Sequence, residues 1–102
     1  MARVVIASSA AADYAEVITD LVAKAGLRAA AKYDEIFERL YDRLADHPGS
    51  GAPRPALGQN IRIGIVSPYI VIYRNDDDSN TVTVLRIAHG RRRITGRMLG
   101  SA

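Results

Sequence analysis

The stretch "LRIAHGRRR", residues 85–93, gathers the groups of this sequence that could do chemistry. His89 can give or take a proton near neutral pH. Arg86, Arg91, Arg92 and Arg93 carry planar guanidinium forks suited to phosphate or carboxylate. Arginine is almost never buried unless paired, and three neighbours repel one another, so Arg91 to Arg93 need an acidic partner. Plainer roles stand beside these. His89 can cap a strand end, Arg86 can pair with an acid on a helix, and the triple arginine can be a solvated tail.

The rest of the sequence limits the chemistry. Cysteine is absent, which removes thiolate nucleophiles and zinc sites built on sulfur and suits a reducing, cytoplasmic setting. His47 and His89 lie far apart, with no spacing that suggests a metal site, and no cofactor motif is present. Asp76, Asp77 and Asp78 match no calcium loop and read as a solvated turn. The formal net charge is +3. Asp13, Glu16, Asp20, Asp34, Glu35, Glu38, Asp42 and Asp46 all precede residue 50, whereas no acid follows Asp78. Arg86, Arg91, Arg92, Arg93 and Arg97 therefore make the C-terminal quarter a positive pole. No apolar run approaches the roughly 20 residues of a membrane span, and the N-terminus reads as structure rather than as a signal peptide.

With 102 residues, 48% hydrophobic and 25% charged, the chain reads as a single globular domain over 1–102. Such a chain buries about two-thirds of its unfolded surface, which favours a shallow site over a deep one. "RVVIA" at 3–7 is β-branched and predicts a strand. Ser8 or Ser9 suits a helix N-cap. Tyr14, Val17, Ile18, Leu21, Val22 and Ala25 make one apolar stripe, ended by Gly26. Leu27, Ile36, Phe37, Leu40, Tyr41 and Leu44 make a second helix, so a helical hairpin is expected at about 9–47. Its polar face is expected to pair Glu35 with Arg39 and Glu38 with Arg43. "HPGSGAPRPALG" at 47–58 is a Pro- and Gly-rich loop. Strands are expected at 60–66, 69–74 and 81–88, followed by a basic segment over 89–102.

The fold expected is α+β in the order β-α-α-β-β-β: an antiparallel sheet meander with the helical hairpin packed on one face. Alternation groups Ile61, Ile63 and Ile65 against Arg62 and Gly64, and Val82, Val84 and Arg86 against Thr83, Leu85 and Ile87. The face away from the helices, carrying some of the arginines, is then a candidate docking surface. Arg62 reads as a solvated sheet residue, and Arg74 is placed to pair with Asp76 or Asp78.

Three segments in this order are familiar: "LADHPGSGAPRPALG" at 44–58, "YIVIYR" at 69–74 and "VTVLRIAHGRR" at 82–92, with a weaker helix start in "SAAAD". On them the chain resembles the ParE branch of the RelE/ParE toxin superfamily, the toxins of bacterial type II toxin–antitoxin modules. In that superfamily, RelE-like members cut messenger RNA on the ribosome. They use lysines on the second strand, an arginine beside the tyrosine that opens the third, an arginine after the last strand and a tyrosine near the C-terminus. Here Tyr69 is followed by Ile70, the second strand offers Arg62 and no lysine, Met98 stands near the C-terminus, and no tyrosine follows Tyr73. Only the basic run survives, in Arg91 to Arg93.

This departure favours the ParE branch, for which the resemblance implies inhibition of DNA gyrase, a part in plasmid stabilisation and no catalysis. Its target-binding residues would be Arg86, His89, Arg91, Arg92, Arg93 and Arg97. The alternative is a ribosome-dependent endoribonuclease using His89, Arg86 and Arg62, and a third reading is an inactive toxin that keeps only its antitoxin. The implied partner is a ParD-like antitoxin with an acidic, amphipathic segment, in a higher-order hetero-oligomer. It would meet Tyr14, Ile18, Leu21, Ile36, Phe37, Leu40 and Tyr41.

Overall fold

The computed structural model describes residues 1–90 and Leu99. The expectations for Arg91, Arg92, Arg93 and Arg97 lie outside the described residues. β1 (Arg3–Ile6) leads directly into α1 (Ser8–Ala25). The N-cap is Ala7, with no side-chain cap, rather than Ser8 or Ser9. The Ala7 N–H is held by the Val84 carbonyl at 2.9 Å and the Ala7 carbonyl accepts from Ala11, so the strand end itself starts the helix. Gly26 turns the chain at φ +91°, where a Cβ would be strained, and α2 (Leu27–Asp46) begins at the next residue.

β2 (Ala52–Pro53) and a 3₁₀ turn (Pro55–Leu57) lie inside the segment expected to be plain loop. β3 (Ile61–Val66), β4 (Tyr69–Asp76) and β5 (Thr81–His89) follow. Asn60, expected as the first residue of β3, has φ +63° and stays outside it. The sheet order is β1-β5-β4-β3-β2. β1 pairs with β5 in parallel, from Arg3 opposite Thr81 to Ile6 opposite Val84, so the sheet is mixed, with an antiparallel meander at its centre. A parallel pair needs a crossover, and the helical hairpin supplies it.

The apolar stripe of α2 covers one face of the sheet. Phe37 and Leu44 are fully buried against Val66, Val71, Tyr73, Val82 and Val84. Burying side chains of this size stabilises by roughly 1.5–3 kcal/mol each. α2 comes so close to β3 that a Cβ on Gly64 would lie 3.0 Å from Leu40 Cδ1. No described helix is long and apolar enough to cross a membrane.

The opposite face corrects the expected arginine docking surface. Ile61, Ile63, Ile72 and Leu85 form a second buried cluster there, with Leu57, Ile70 and Leu99 packed against it. The alternation on β5 also changes phase. Tyr73 stands opposite Val84 and Ile72 opposite Arg86, leaving Leu85 as the extra residue of a bulge. Ile87 therefore joins Val82 and Val84 on the helix side, away from Leu85. Among the described residues no ion pair joins Glu35 to Arg39, Glu38 to Arg43, or Arg74 to Asp76 or Asp78, whereas Lys24 pairs with Asp20 and Arg86 with Asp13. The Asp76 carboxylate instead accepts from the N–H groups of Asp78 and Ser79 and closes the β4–β5 turn.

Candidate functional site

β1 stops pairing at Val84, while β5 continues to His89. α1 lies along this overhanging stretch, and a groove of about 710 Å³ opens between them. Its strand side is Ile87, Ala88 and His89, its helix side runs from Asp13 to Lys24, and Tyr69 contributes from β4.

Asp13 fixes the inner end. Its Oδ2 accepts from Arg86 Nε at 2.7 Å and from the Ile87 N–H at 2.9 Å, and its Oδ1 accepts from Arg86 Nη2 at 3.1 Å. One carboxylate thus holds a guanidinium fork and also takes a backbone donor on the part of β5 beyond β1. Both side chains are mostly buried, 18% exposed for Arg86 and 14% for Asp13. The hydrogen bond to Asp13 raises the Arg86 pKa, against the opposing effect of burial. Of the two roles open to Arg86 in the sequence, the pairing with a helix acid is present.

His89 is exposed and stands edge-on to Tyr69, with ring centroids 5.9 Å apart and an interplanar angle of 80°. Tyr69 in turn meets Tyr33 edge-on at 5.9 Å and Phe37 at 6.1 Å. Burial raises the Tyr69 pKa above its usual value, so the phenol stays protonated at neutral pH. The helix wall facing His89 carries Asp13, Glu16 and Asp20, with Lys24 paired to Asp20 at 3.3 Å.

Arg62 is not at this groove. Its Nη1 donates to the carbonyls of Gly49 at 3.0 Å and Gly51 at 2.8 Å. Its cross-strand neighbour Tyr73 donates to the Pro48 carbonyl at 3.0 Å and accepts from the Gly51 N–H at 2.9 Å. The two side chains together pin the loop after α2. The three groups of the nuclease reading are therefore not brought together, and Arg62 is a loop anchor rather than a solvated sheet residue.

The residues expected to meet a partner divide. Phe37 and Leu40 are core, 0% and 3% exposed, and are not available to a partner in the folded chain. Their helical spacing is the same as that of a surface stripe, and only the position of the sheet tells the two apart. Tyr14 packs edge-on to Phe37 at 5.2 Å and donates a hydrogen bond to Asp34. Ile36 and Tyr41 pack half-buried at the core margin. Ile18 and Leu21 remain half-exposed on α1, whose one buried residue is Ala10. Sequence reasoning missed Asp13 as the anchor of the groove; its signal was an acid on the first turns of α1 and a lone arginine inside β5.

A helical hairpin on one face of a mixed five-stranded sheet, with a groove where α1 passes the overhanging end of β5, is the RelE/ParE-like fold. Residues 4–94 match the model of the ParE toxin of the type II toxin–antitoxin system parDE, and the chain belongs to that family. It resembles a chain of the chromosomal ParDE toxin–antitoxin system from P. aeruginosa, with 22% identity and a TM-score of 0.71, over 87% of this chain and 96% of that one. It also resembles a chain of the RelBE2 toxin–antitoxin complex from Mycobacterium tuberculosis, with 23% identity and a TM-score of 0.62, over 86% and 96% of the two chains. No curated protein sequence matches it.

Proposed function

We propose that this ParE-type toxin acts in the cytoplasm without catalysis, by binding DNA gyrase through its basic C-terminal end. The bidentate Asp13–Arg86 pair carries this reading. Cleavage at an RNA 2′-hydroxyl needs a base, an acid and a cation for the developing phosphate charge. Arg86 is engaged by a carboxylate, Arg62 holds loop carbonyls, and His89 faces a helix wall with three acids. With Arg86 held by Asp13 and Lys24 by Asp20, the described lining of the groove offers no uncommitted cation to a phosphodiester.

The same groove supports a cognate antitoxin as the second partner, in a toxin–antitoxin hetero-oligomer of the kind that serves plasmid stabilisation. Ile18, Leu21 and the 38%-exposed Val22 leave apolar area on α1 for a partner segment to cover. An acidic antitoxin segment suits the arginine end, whereas Glu16 and Asp20 favour an apolar or basic stretch over α1.

The test is gyrase supercoiling with the purified chain, run beside ribosome-dependent mRNA cleavage. Gyrase-dependent DNA breaks with intact mRNA are the expected result. Cut mRNA with untouched gyrase overturns the reading. The variant with Arg91, Arg92 and Arg93 all changed to Glu is expected to fold and to lose toxicity.

A further inference from the structure

A second concavity, of about 480 Å³, lies away from the groove, between the proline-rich loop, the start of β3 and the β4–β5 turn. Its lining includes four polar residues, Arg62, Gln59, Asn60 and Asn75, and the acid Asp77. Arg62 uses Nη1 on the loop carbonyls; among the described residues its other guanidinium nitrogens have no hydrogen-bond partner. The three carboxamides and Asp77 likewise have no side-chain partner there. The frame that carries them is fixed by backbone bonds. The Asn75 N–H donates to the Asn60 carbonyl at 3.0 Å, and the Arg54 N–H to the Ile61 carbonyl at 2.8 Å. Pro53 and Pro55 add rigid apolar ring faces to the same wall.

The concavity is open and shallow, its volume is within the range of small-molecule sites, and its lining sets two proline rings beside a majority of polar groups. A guanidinium fork suits a phosphate. Carboxamides and a carboxylate read the donor and acceptor edge of a base. Inorganic phosphate alone would leave the carboxamides unused, and a neutral apolar ligand would leave both them and Arg62 unused.

We propose that this concavity binds a single nucleotide unit, its phosphate on Arg62 and its base edge on Gln59, Asn60, Asn75 and Asp77. The unit comes either from a free nucleotide or from an unpaired nucleotide of a nucleic-acid strand. The site is independent of the gyrase reading, since it is argued from the loop, β3 and the β4–β5 turn and not from the α1–β5 groove.

Titration of the isotope-labelled chain with AMP, GMP, CMP and UMP, followed by amide NMR, tests this. The side-chain amides of Gln59, Asn60 and Asn75 are expected to shift with at least one nucleotide. Inorganic phosphate and the matching nucleoside are expected to bind more weakly than the nucleotide. Gln59→Ala, an exposed position that leaves the Arg62 anchor intact, is expected to weaken binding about tenfold, the equivalent of one directed hydrogen bond. A single-stranded tetranucleotide that binds more tightly than the mononucleotide assigns the site to a strand; equal or weaker binding assigns it to a free nucleotide. No shift at millimolar nucleotide, shifts equal for phosphate alone, or shifts confined to residues beyond Gly90 would overturn the proposal.

Discussion

Asp13 on α1 and Arg86 on β5, 73 residues apart in sequence, form a two-pronged ion pair at 2.7 and 3.1 Å, and Asp13 also receives the Ile87 N–H. The carboxylate does locally what the next residues of β1 would do for the sheet, because β1 ends opposite Val84. Asp13→Ala takes the carboxylate from a mostly buried guanidinium and the acceptor from the Ile87 N–H, at a cost of about 2–4 kcal/mol. Urea unfolding of the variant should show a lower midpoint with an unchanged slope. Asp13→Asn, which keeps an acceptor for Ile87, should recover part of the loss. Equal stability of Asp13→Ala and the parent would show that the pair contributes nothing.

The loop after α2 hangs on Tyr73 and Arg62. Tyr73→Phe removes one donor and one acceptor from a fully buried position, so the Gly51 N–H and the Pro48 carbonyl lose their partner. A loss of about 1–2 kcal/mol is expected. Gly51→Ala should cost more than Tyr73→Phe, because its Cβ would collide with the Ile63 carbonyl and the Tyr73 ring, and neither can give way. Thermal unfolding of both variants orders them. A Gly51→Ala protein as stable as the parent would mean that the loop is not held there.

The element order, the helical hairpin and the three long strands were legible from local patterns: β-branched runs, stripes at three- and four-residue spacing, and glycine at the reversal. What escaped depended on distant partners. The parallel placement of β1 against β5 leaves no mark on either strand. The bulge at Leu85, which returns Ile87 to the helix side, is a matter of register between β4 and β5. Arg62 read as a surface charge because its acceptors, two loop carbonyls, lie 11 and 13 residues away, and the helix acid open to Arg86 had no name because Asp13 lies 73 residues away. Phe37 and Leu40 could be core or partner surface until the sheet was set beneath them.

Alkali should destabilise the fold through the tyrosines between the helices. Burial, followed by the charges of Glu38 and Asp34, raises the Tyr41 pKa from 10.0 to about 12. Tyr14, which donates to Asp34, is raised as well, with burial again the largest cause. The folded chain therefore keeps protons that the unfolded chain loses. This contribution is complete below pH 10 and is lost as pH rises from about 10 towards 12. Urea midpoints measured through this window should fall, in step with the appearance of tyrosinate absorbance. Tyr41→Phe should shallow the decline, and a flat profile to pH 12 would contradict the assignment.

His89 separates the catalytic and non-catalytic readings. It is exposed and stands edge-on to Tyr69. If it served as a proton donor or acceptor in RNA cleavage, His89→Ala would lower activity about 10²–10⁴-fold, the usual contribution of a positioned acid or base. If it is only part of a binding surface, the loss of one aromatic contact changes affinity by about tenfold or less. In cells expressing the toxin from an inducible promoter, His89→Ala should still arrest DNA synthesis before protein synthesis. Complete loss of toxicity in a folded His89→Ala protein, with protein synthesis failing first in the parent, would return the chain to the nuclease class.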